Sequence, residues 1–460
     1  MPQTSSMDGL LAELGKGVTS ASGLMQALGV SQPWVSRAVS RLIETGRVIR
    51  IGATRGARYG LRREVAGAGS AWPLRRIDRD GDIEEFGTMY ALAGTQYYFE
   101  PTGAAVDRGF RWGGVSEGLP YFLQDQRPGG FLGRAVPLRY PELNLPQRVI
   151  DWSDDHYLRY LTQRGSDTLG DLILGAAAFD EYLAELQHRT VIDDADREVR
   201  YPQLAQNVMQ GGLPGSSAHG EHPKFAVLIQ EQAGPGHVLV KFSPPAGTAV
   251  GQRWSDLLIA EHHAHEVLRE AGVPACSSRI FIFADRTYLE VDRFDRNGSN
   301  GRIGVSSMMA IDASQYGVLD NWVASATRMH RDRLIDSQTL EQVRLIATFG
   351  ELIANSDRHF GNLAFYDNYT GHFEVAPVYD MLPMLFAPQH DQILTQIFNP
   401  PAPTSDTLHA WGRARMLAER YWHVLADDPR ISEGFRAISA ASVATLQALP
   451  RTGAYAYRPD

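Results

Sequence analysis

The sequence predicts a mixed α/β (α+β) fold in which a small N-terminal helical module precedes a larger, two-lobed body. Two features lead to this class. Before residue 66, apolar residues recur at helical spacing in three short segments, and two short strand patterns follow them. From about residue 196 onward, strand and helix patterns alternate without repeats or low-complexity tracts. The length of 460 residues is enough for about three domains and a large buried core.

The pattern of residues 1–65 is typical of a winged helix-turn-helix. The helical patterns cover 7–16, 20–28 and 31–46, and the strand patterns cover 47–52 and 57–61. The tight turn at Gly29, between the second and third helices, suits a helix-turn-helix. This module holds nine Lys and Arg against four Asp and Glu, a net charge of +5, whereas the whole chain carries −9. A basic module on an acidic body favours an anionic partner, and we expect DNA.

On DNA, the third helix of the module would contact the major groove, and the wing would contact phosphates or the minor groove. The predicted contact residues are Gln32, Trp34, Ser36, Arg37 and Ser40 on the helix and Arg50, Arg55 and Arg58 on the wing. A homodimer would suit this arrangement because helix-turn-helix modules often read paired half-sites. The alternative is a protein-contact module whose arginines are solvated.

Composition limits the remaining possibilities. Cys276 is the single cysteine, so no intramolecular disulfide can form and a reducing compartment is expected. The sequence has no run of about 18 apolar residues and no signal-peptide pattern, so we expect a cytoplasmic protein without membrane contact. The aromatic run at 97–99 has no interleaved basic residues, which favours strand core over a base-stacking surface.

Residues 355–362, with the sequence NSDRHFGN, carry the strongest chemical signal. Phosphoryl transfer from a magnesium nucleotide needs a carboxylate near the acceptor hydroxyl and two oxygen ligands for the metal. We therefore predict that Asp357 accepts or orients the hydroxyl proton and that His359 packs or hydrogen-bonds the loop. Asn362 and Asp380, which follows a short predicted hairpin, are the predicted Mg²⁺ ligands. The structural alternative is a loop of helix-capping Asn and Asp residues.

Two upstream segments supply the parts that a bound nucleotide needs. Residues 211–224 are rich in glycine, and backbone amides and small side chains in such a loop can bind phosphate oxygens. The predicted phosphate contacts are Ser217, Ala218 and Gly220. Lys241 lies near the end of a strand pattern, and Glu261 lies in the early turns of the next helix pattern. Kinases use a strand lysine held by a helix glutamate to place a cation on the α- and β-phosphates.

The histidine-rich run at 261–266 is a second chemical candidate. His262 and Glu266 share a helix face at i and i+4, as metal ligands can. However, the chain has no HExxH sequence and no cysteine pairs. We therefore interpret this run as a helix surface that also supplies the Lys241 partner.

Together these motifs resemble the HipA family of bacterial serine/threonine kinases, the toxin components of toxin-antitoxin systems. The NxDxHxxN pattern within 355–362 is similar to the family's catalytic loop, and PVYD at 377–380 is similar to its metal-binding segment. The resemblance covers roughly residues 85–450. A helix-turn-helix in front of such a body resembles the YjjJ (HipH) subgroup, whereas typical members take DNA binding from a separate antitoxin.

The resemblance implies an ATP- and Mg²⁺-dependent kinase that phosphorylates a Ser or Thr hydroxyl of a cellular protein, such as a translation component, with an antitoxin as a further candidate partner. It implies that Asp292 and Phe294 lie near the adenine. It also implies that Ser217, or Ser216 beside it, is autophosphorylated, and that the added charge ejects the Gly-rich loop and silences the kinase. The chain departs from the family at His222, where Gln is usual, and at Asp292, where Glu is common.

The resemblance also implies a two-lobed HipA/protein-kinase-like fold. The predicted domains are 1–65, the winged helix-turn-helix; 66–195, an α+β region similar to the HipA N-subdomain 1; 196–296, the kinase N-lobe; and 297–460, a mainly helical C-lobe. Two other functions remain open. One is a DNA-binding regulator whose kinase body only senses a nucleotide or is inactive, and the other is a small-molecule kinase.

Overall fold

The computed structural model describes residues 7–53, 56–110, 113–210 and 222–449. The N-terminal module comprises α1 Met7–Leu14, β1 Thr19–Ser20, α2 Ala21–Leu28, α3 Gln32–Glu44, β2 Val48–Ile51 and β3 Arg58–Leu61. The strands pair antiparallel in the order β1-β3-β2. Helix α2 is capped by Ser20, whose Oγ accepts the N–H of Gly23 at 3.1 Å, and it ends at Gly29 with φ 65°, where glycine is unstrained.

The N-terminal module is docked on the next region of the chain. The backbone N–H of Ala93 donates to the carbonyl of Leu61 at 2.8 Å, so the end of β3 is held by the neighbouring sheet. Ile51, Leu92 and Tyr98 form a shared buried apolar cluster between the two regions. These contacts attach the module to the middle region through β2 and β3.

The middle region is a five-stranded antiparallel sheet with surrounding helices. Its elements are β4 Ala71–Ile77, β5 Ile83–Ala91, β6 Gln96–Pro101, α4 Ala104–Asp107, β7 Gly114–Glu117, α5 Tyr121–Gln124, α6 Gly130–Arg139, α7 Asp154–Arg164, β8 Leu172–Leu174 and α8 Ala176–His188. The strand order is β7-β6-β5-β4-β8. The aromatic run at 97–99 lies on β6, where Tyr97 and Phe99 are each 1 % exposed, so it forms strand core.

The next region forms a second five-stranded sheet between two helices. Its elements are β9 Val191–Asp193, α9 Arg197–Gln210, β10 Lys224–Glu231, β11 Gly234–Phe242, α10 Ala249–Glu270, β12 Ser278–Phe283 and β13 Arg286–Asp292. The order is β12-β13-β11-β10-β9, and β9 pairs parallel with β10. The predicted domain limit at 195/196 therefore falls after a strand of this sheet. A strand of three residues is too short to show a periodic pattern.

The C-terminal region is mainly helical. Its elements are β14 Arg296–Asn297, β15 Gly301–Arg302, β16 Val305–Ser307, α11 Met308–Gln315, α12 Trp322–Arg331, α13 Ser337–Leu352, β17 Ala364–Asp367, β18 Phe373–Val375, α14 Leu408–Asp427 and α15 Glu433–Ala448. Strands β16, β17 and β18 form a small antiparallel sheet. Phe349 of α13 and Trp422 of α14 are fully buried in the main core. Among the described residues, no helix combines the length and the apolar character needed to cross a bilayer.

Candidate active site

A buried ion pair joins strand β11 to helix α10. Successive side chains of a strand point to opposite faces, and Val240 and Phe242 pack into the apolar cluster on the α9 side. Lys241 therefore points toward α10, where its Nζ donates to Glu261 Oε1 at 2.6 Å and Oε2 at 2.8 Å. Lys241 is 5 % exposed and Glu261 is 1 % exposed. Both ends of the pair are thus held away from water.

Asp380 brings a third charge to this pair. Its carboxylate forms an ion pair with Lys241 Nζ, and its backbone N–H donates to Glu261 Oε1 at 3.2 Å. The backbone of Asp380 has φ 50°, a left-handed conformation that Asp tolerates better than most residues. Its side chain remains 33 % exposed, so one part of the carboxylate is open to solvent. We call Lys241, Glu261 and Asp380 the charged triad.

Electrostatics keep two members of the charged triad ionised. Burial opposes charge on Lys241, but Asp380 and Glu261 outweigh it and raise the pKa of the ammonium above its ordinary value. Burial likewise opposes charge on Asp380, but Lys241 and Lys224 outweigh it and hold the pKa of this carboxyl well below its ordinary value. Burial raises the pKa of Glu261, and Lys241 opposes that rise.

The loop after α13 is tied to the charged triad through Asn355. Asn355 is 1 % exposed, and its Nδ2 donates to the carbonyl of Asp380 at 3.4 Å. Its Oδ1 accepts the backbone N–H of Asp357 at 3.0 Å, so one buried amide orients both segments. The side chain of Asp357 is exposed to solvent. A substrate hydroxyl can therefore approach Asp357 without displacing the core.

The rest of this loop is held by its own hydrogen bonds. Asn362 is 9 % exposed, and its Nδ2 donates to the carbonyl of Asp357 at 2.8 Å. His359 is exposed, and its Nδ1 accepts the N–H of Gly361 at 3.1 Å. The hydroxyl of Tyr379 donates to the carbonyl of Gly361, which links the loop to the residue next to Asp380.

The oxygen donors at this end of the site fit Mg²⁺. Asp380 offers a partly exposed carboxylate, and Asn362 offers an amide oxygen. In nucleotide sites Mg²⁺ takes one or two protein oxygens and completes its shell with phosphates and water. Within 7–53, 56–110, 113–210 and 222–449, no group of three or more His, Cys, Asp or Glu side chains could hold a metal on its own. The donor set therefore suits a metal that arrives with a nucleotide.

The predicted adenine neighbours lie between the two lobes. Phe294 is half-buried and stacks on Tyr379, with ring centroids 5.6 Å apart and planes inclined by 26°. It packs against Leu258 of α10 on one side and Val305 of β16 on the other. Asp292 is exposed at the end of β13. The structure thus brings Phe294 next to the segment that carries Asp380.

The histidines near Glu261 have structural partners. His263 Nε2 lies 2.7 Å from Asp428 Oδ2, and His262 Nδ1 lies 3.0 Å from Ser278 Oγ. His265 is fully buried, and burial, with Lys241 nearby, lowers its pKa to about 3, so its ring is neutral at pH 7.

Several predicted residues fall outside the described ranges. These are Ser216, Ser217, Ala218 and Gly220 of the Gly-rich loop and Arg55 of the wing. In the N-terminal module, the exposed predicted contacts are Gln32, Ser36, Arg37 and Ser40 on α3, Arg50 on β2 and Arg58 on β3. Trp34 is half-buried and packs against the apolar core of the module. Its ring therefore serves the fold as well as any DNA contact.

Asn355 and Tyr379 also connect this loop to Asp380 and its neighbours. They lie within the predicted catalytic pattern and the PVYD segment, but the sequence predicts no role for either side chain. Both act through backbone carbonyls of residues 25 and 18 positions away. An Asn two residues before an Asp does predict the local Asx-type contact with the Asp357 N–H. No sequence pattern predicts the long-range contacts.

Comparison with known proteins identifies related families. Residues 68–183 match the family described as YjjJ-like toxin, middle domain, and residues 216–437 match the HipA-like C-terminal domain. Toxin YjjJ of Escherichia coli (strain K12) is 38% identical over 427 residues, which cover 92% of this chain and 94% of that protein.

A solved structure supports the same assignment at the level of fold. It is HipA of Shewanella oneidensis MR-1, from a complex of HipA, HipB and its operator DNA, with a TM-score of 0.52 and 14% identity. The match covers 82% of this chain and 96% of that chain, and it confirms the predicted HipA-like α/β fold. Given the identity to toxin YjjJ along almost the whole chain, this protein belongs to the YjjJ-like toxins, which resemble HipA.

Proposed function

We propose that this chain is an ATP- and Mg²⁺-dependent kinase that transfers phosphate to a Ser or Thr hydroxyl of a cellular protein. The observation that carries the proposal is the contact of Lys241 with both Glu261 and Asp380. Kinases need a lysine fixed by a helix glutamate and an aspartate that holds the metal, and both must be in place at once. In this chain one buried contact joins all three.

Each residue of the site has a separate role in this proposal. Glu261 fixes Lys241 so that the ammonium can meet the α- and β-phosphates, and Asp380 and Asn362 bind the metal. Bound Mg²⁺ supplies charge neutralisation at the phosphates. Asp357 orients the acceptor hydroxyl and takes its proton, and Asn355 keeps Asp357 in register with Asp380. His359 stabilises the loop through Gly361.

The test is transfer of labelled phosphate from ATP by the full-length protein, followed by analysis of the phosphorylated amino acid. We expect label on Ser or Thr in the wild type and its loss in Asp357→Asn. The matched control is Asp391→Asn, since Asp391 is also an exposed aspartate of the C-terminal region. Label on a small molecule alone would favour a small-molecule kinase. Absence of both transfer and ATP binding would favour a regulator with an inactive body.

The same labelling experiment also tests the Gly-rich loop. We propose that Ser217, or Ser216 beside it, is autophosphorylated, in keeping with the resemblance to HipA kinases. Peptide mapping of the labelled wild type should place the label on one of these two residues. Label elsewhere in the chain would contradict this part of the proposal.

A second function concerns the N-terminal module, which we propose binds DNA. The supporting observation is the exposed polar face of α3, with Gln32, Ser36, Arg37 and Ser40 all open to solvent. HipA of Shewanella oneidensis was solved with operator DNA and HipB. Because this chain carries its own module, we propose that its DNA contact needs no separate antitoxin.

Binding to DNA as a function of salt tests this second function. Arg37→Ala should weaken binding and reduce the salt slope by about 1, because one phosphate or base contact is lost. Lys16→Ala is the control. Lys16 is also an exposed cation of the module, but its ammonium already forms an ion pair with Glu13 of α1. A wild-type slope near zero would rule out phosphate contact by the module.

A further inference from the structure

A second polar cavity lies away from the charged triad, where the middle region meets the second sheet. Its volume is about 630 Å³, within the range of small-molecule sites. It is lined by residues of α8, including Glu181 and Ala184, by residues of β10 and by His237 of β11. Arg302 of β15 also lines the cavity. No residue of the charged triad takes part in it.

The cavity lining holds four arginines, Arg139, Arg189, Arg296 and Arg302, and three carboxylates, Asp167, Glu181 and Glu185. Arg293 and Arg296 both pair with Asp167, with closest contacts of 3.1 Å and 2.6 Å. The same two arginines pair with Asp295, at 3.0 Å and 2.6 Å. Two cations and two carboxylates therefore neutralise each other. Arg302 lies beside this quartet as an additional cation.

Arg302 is a buried guanidinium with unused hydrogen-bonding capacity. The residue is 3 % exposed, and its Nη2 donates to the carbonyl of Ser166 at 2.6 Å. Its Nη1 is buried and has no hydrogen-bond partner among the described residues. The guanidinium lies over the ring of Tyr182, 4.7 Å from the centroid. Burial, with Arg296 nearby, lowers the pKa of Arg302 to about 9, and Asp167 opposes this shift.

An acceptor on α8 is also unsatisfied. Glu181 Oε1 pairs with Arg164 at 3.2 Å, but Glu181 Oε2 is buried without a hydrogen-bond partner in the described part of the chain. Buried polar atoms without partners are rare in folded proteins, and each one calls for an explanation. A donor and an acceptor left open around one cavity point to a missing polar molecule.

We propose that this cavity binds a small organic anion, whose phosphate or carboxylate group is held by Arg302 and whose N–H or O–H group donates to Glu181. A planar guanidinium can bind either anion in a bidentate manner. The site is separate from the nucleotide cleft, yet β11 connects the two. His237 lines the cavity, and Lys241 lies four residues further along the strand, roughly 13 Å away.

The test is calorimetric titration of the full-length protein with pyrophosphate, inorganic phosphate, citrate and glutamate. These probes separate a phosphate from a carboxylate ligand. We expect at least one of them to bind with one-to-one stoichiometry. Ala184→Glu should weaken that binding at least roughly tenfold, because Ala184 is exposed on the cavity wall and the new carboxylate repels the anion.

Gln187→Glu is the matched control, since it adds the same charge to an exposed position of α8 that does not line the cavity. It should leave binding within about twofold, because surface charges at this distance are screened. Equal weakening by both substitutions, or no binding of any probe, would overturn the proposal. Lys241→Met provides a further check, because loss of anion binding in this variant would place the anion in the nucleotide cleft instead.

Arg302→Met distinguishes a ligand-binding arginine from a structural one. It keeps most of the side-chain volume and removes a buried charge that forms no direct ion pair among the described residues, so thermal unfolding should occur at the same or a higher temperature. Anion binding should be lost. A variant that unfolds earlier and still binds the anion as the wild type does would show that Arg302 serves only the fold.

Discussion

Two aspartates on either side of strand β18 show how differently the same side chain behaves in one lobe. Asp367 ends β17, and Asp380 follows β18 by five residues. Asp380 meets the ammonium of Lys241, and its pKa is held well below the ordinary value despite burial. Asp367 is 3 % exposed, and burial raises its pKa to about 6. Desolvation opposes charge on both carboxyls, so the partner decides the sign of the shift.

The partners of Asp367 are all uncharged donors. Its Oδ2 accepts the hydroxyls of Tyr121 and Ser306, each at 3.0 Å, and its Oδ1 accepts the N–H of Tyr369 at 2.8 Å. Tyr121 belongs to α5, so this carboxyl joins the middle region to the C-terminal region. A carboxyl whose pKa burial raises to about 6 can take up a proton in mild acid, whereas a carboxylate kept charged by lysine suits a metal ligand.

The largest expected effect is the difference in transfer rate between the two aspartates when each is replaced by Asn. Asp380→Asn should lower the rate of phosphate transfer by about 10³-fold, roughly 4 kcal/mol, because an anionic metal ligand is lost. Asp367→Asn should leave the rate within about threefold, because this side chain has no contact with the charged triad. Initial rates at saturating Mg²⁺ and ATP measure both. Equal losses would mean that the chemistry does not depend on Asp380 in particular.

The second expected effect concerns Lys241, the cation that contacts Asp380 and not Asp367. Lys241→Met should lower the rate about 10²-fold and should destabilise the fold by about 3 kcal/mol, because Glu261 is left buried without a counter-charge. The double variant Lys241→Met/Glu261→Gln should recover much of the stability and none of the activity. Chemical unfolding and transfer assays on the three proteins check this. Full activity in the single variant would contradict the proposed role of Lys241.

The two aspartates also show what could and could not be predicted from the sequence. The predicted α/β class and the strand that carries Lys241 agree with the structure, because strand alternation and helix periodicity are local patterns. Asp380 stands in a recognisable segment, PVYD, and could be singled out from its order along the chain. Asp367 could not, since its environment depends on Tyr121 and Ser306, which lie 246 and 61 residues away.

The same reasoning explains what else the sequence left open. The sequence predicted Lys241 and Glu261 as a pair, but their joint contact with Asp380 follows from how the lobes pack. Strand β9 joins the second sheet through a parallel pairing with β10 that no local sequence pattern predicts. The sequence does not single out Arg302 or Glu181, because a lone arginine or glutamate has no distinguishing pattern until its burial is known.

The third prediction uses pH to separate the two carboxyls. The folded pKa of Asp367, about 6, lies above the ordinary value of 3.8, so its contribution to stability is complete below about pH 4 and is lost as the pH rises through 6. Asp367→Asn removes this dependence. The unfolding free energy of the wild type, relative to this variant, should therefore fall by about 3 kcal/mol between pH 4 and pH 8. Asp380 has the opposite sign, since its contribution is present above its unfolded pKa and lost only in stronger acid.

The smallest expected effect tests how far the uncharged donors lower the pKa of Asp367 against the effect of burial. Tyr121→Phe removes one hydrogen bond to the charged form, so the pKa of Asp367 should rise above 6 and the fold should lose about 1 kcal/mol at pH 8. Tyr379→Phe is the matched control beside Asp380, because its hydroxyl donates to Gly361 O and not to a carboxylate. Carboxyl ¹³C chemical shifts followed against pH report the midpoint directly. A midpoint for Asp367 that stays at 6 in Tyr121→Phe would mean that desolvation by the surrounding core, rather than its donors, determines the charge of this carboxyl.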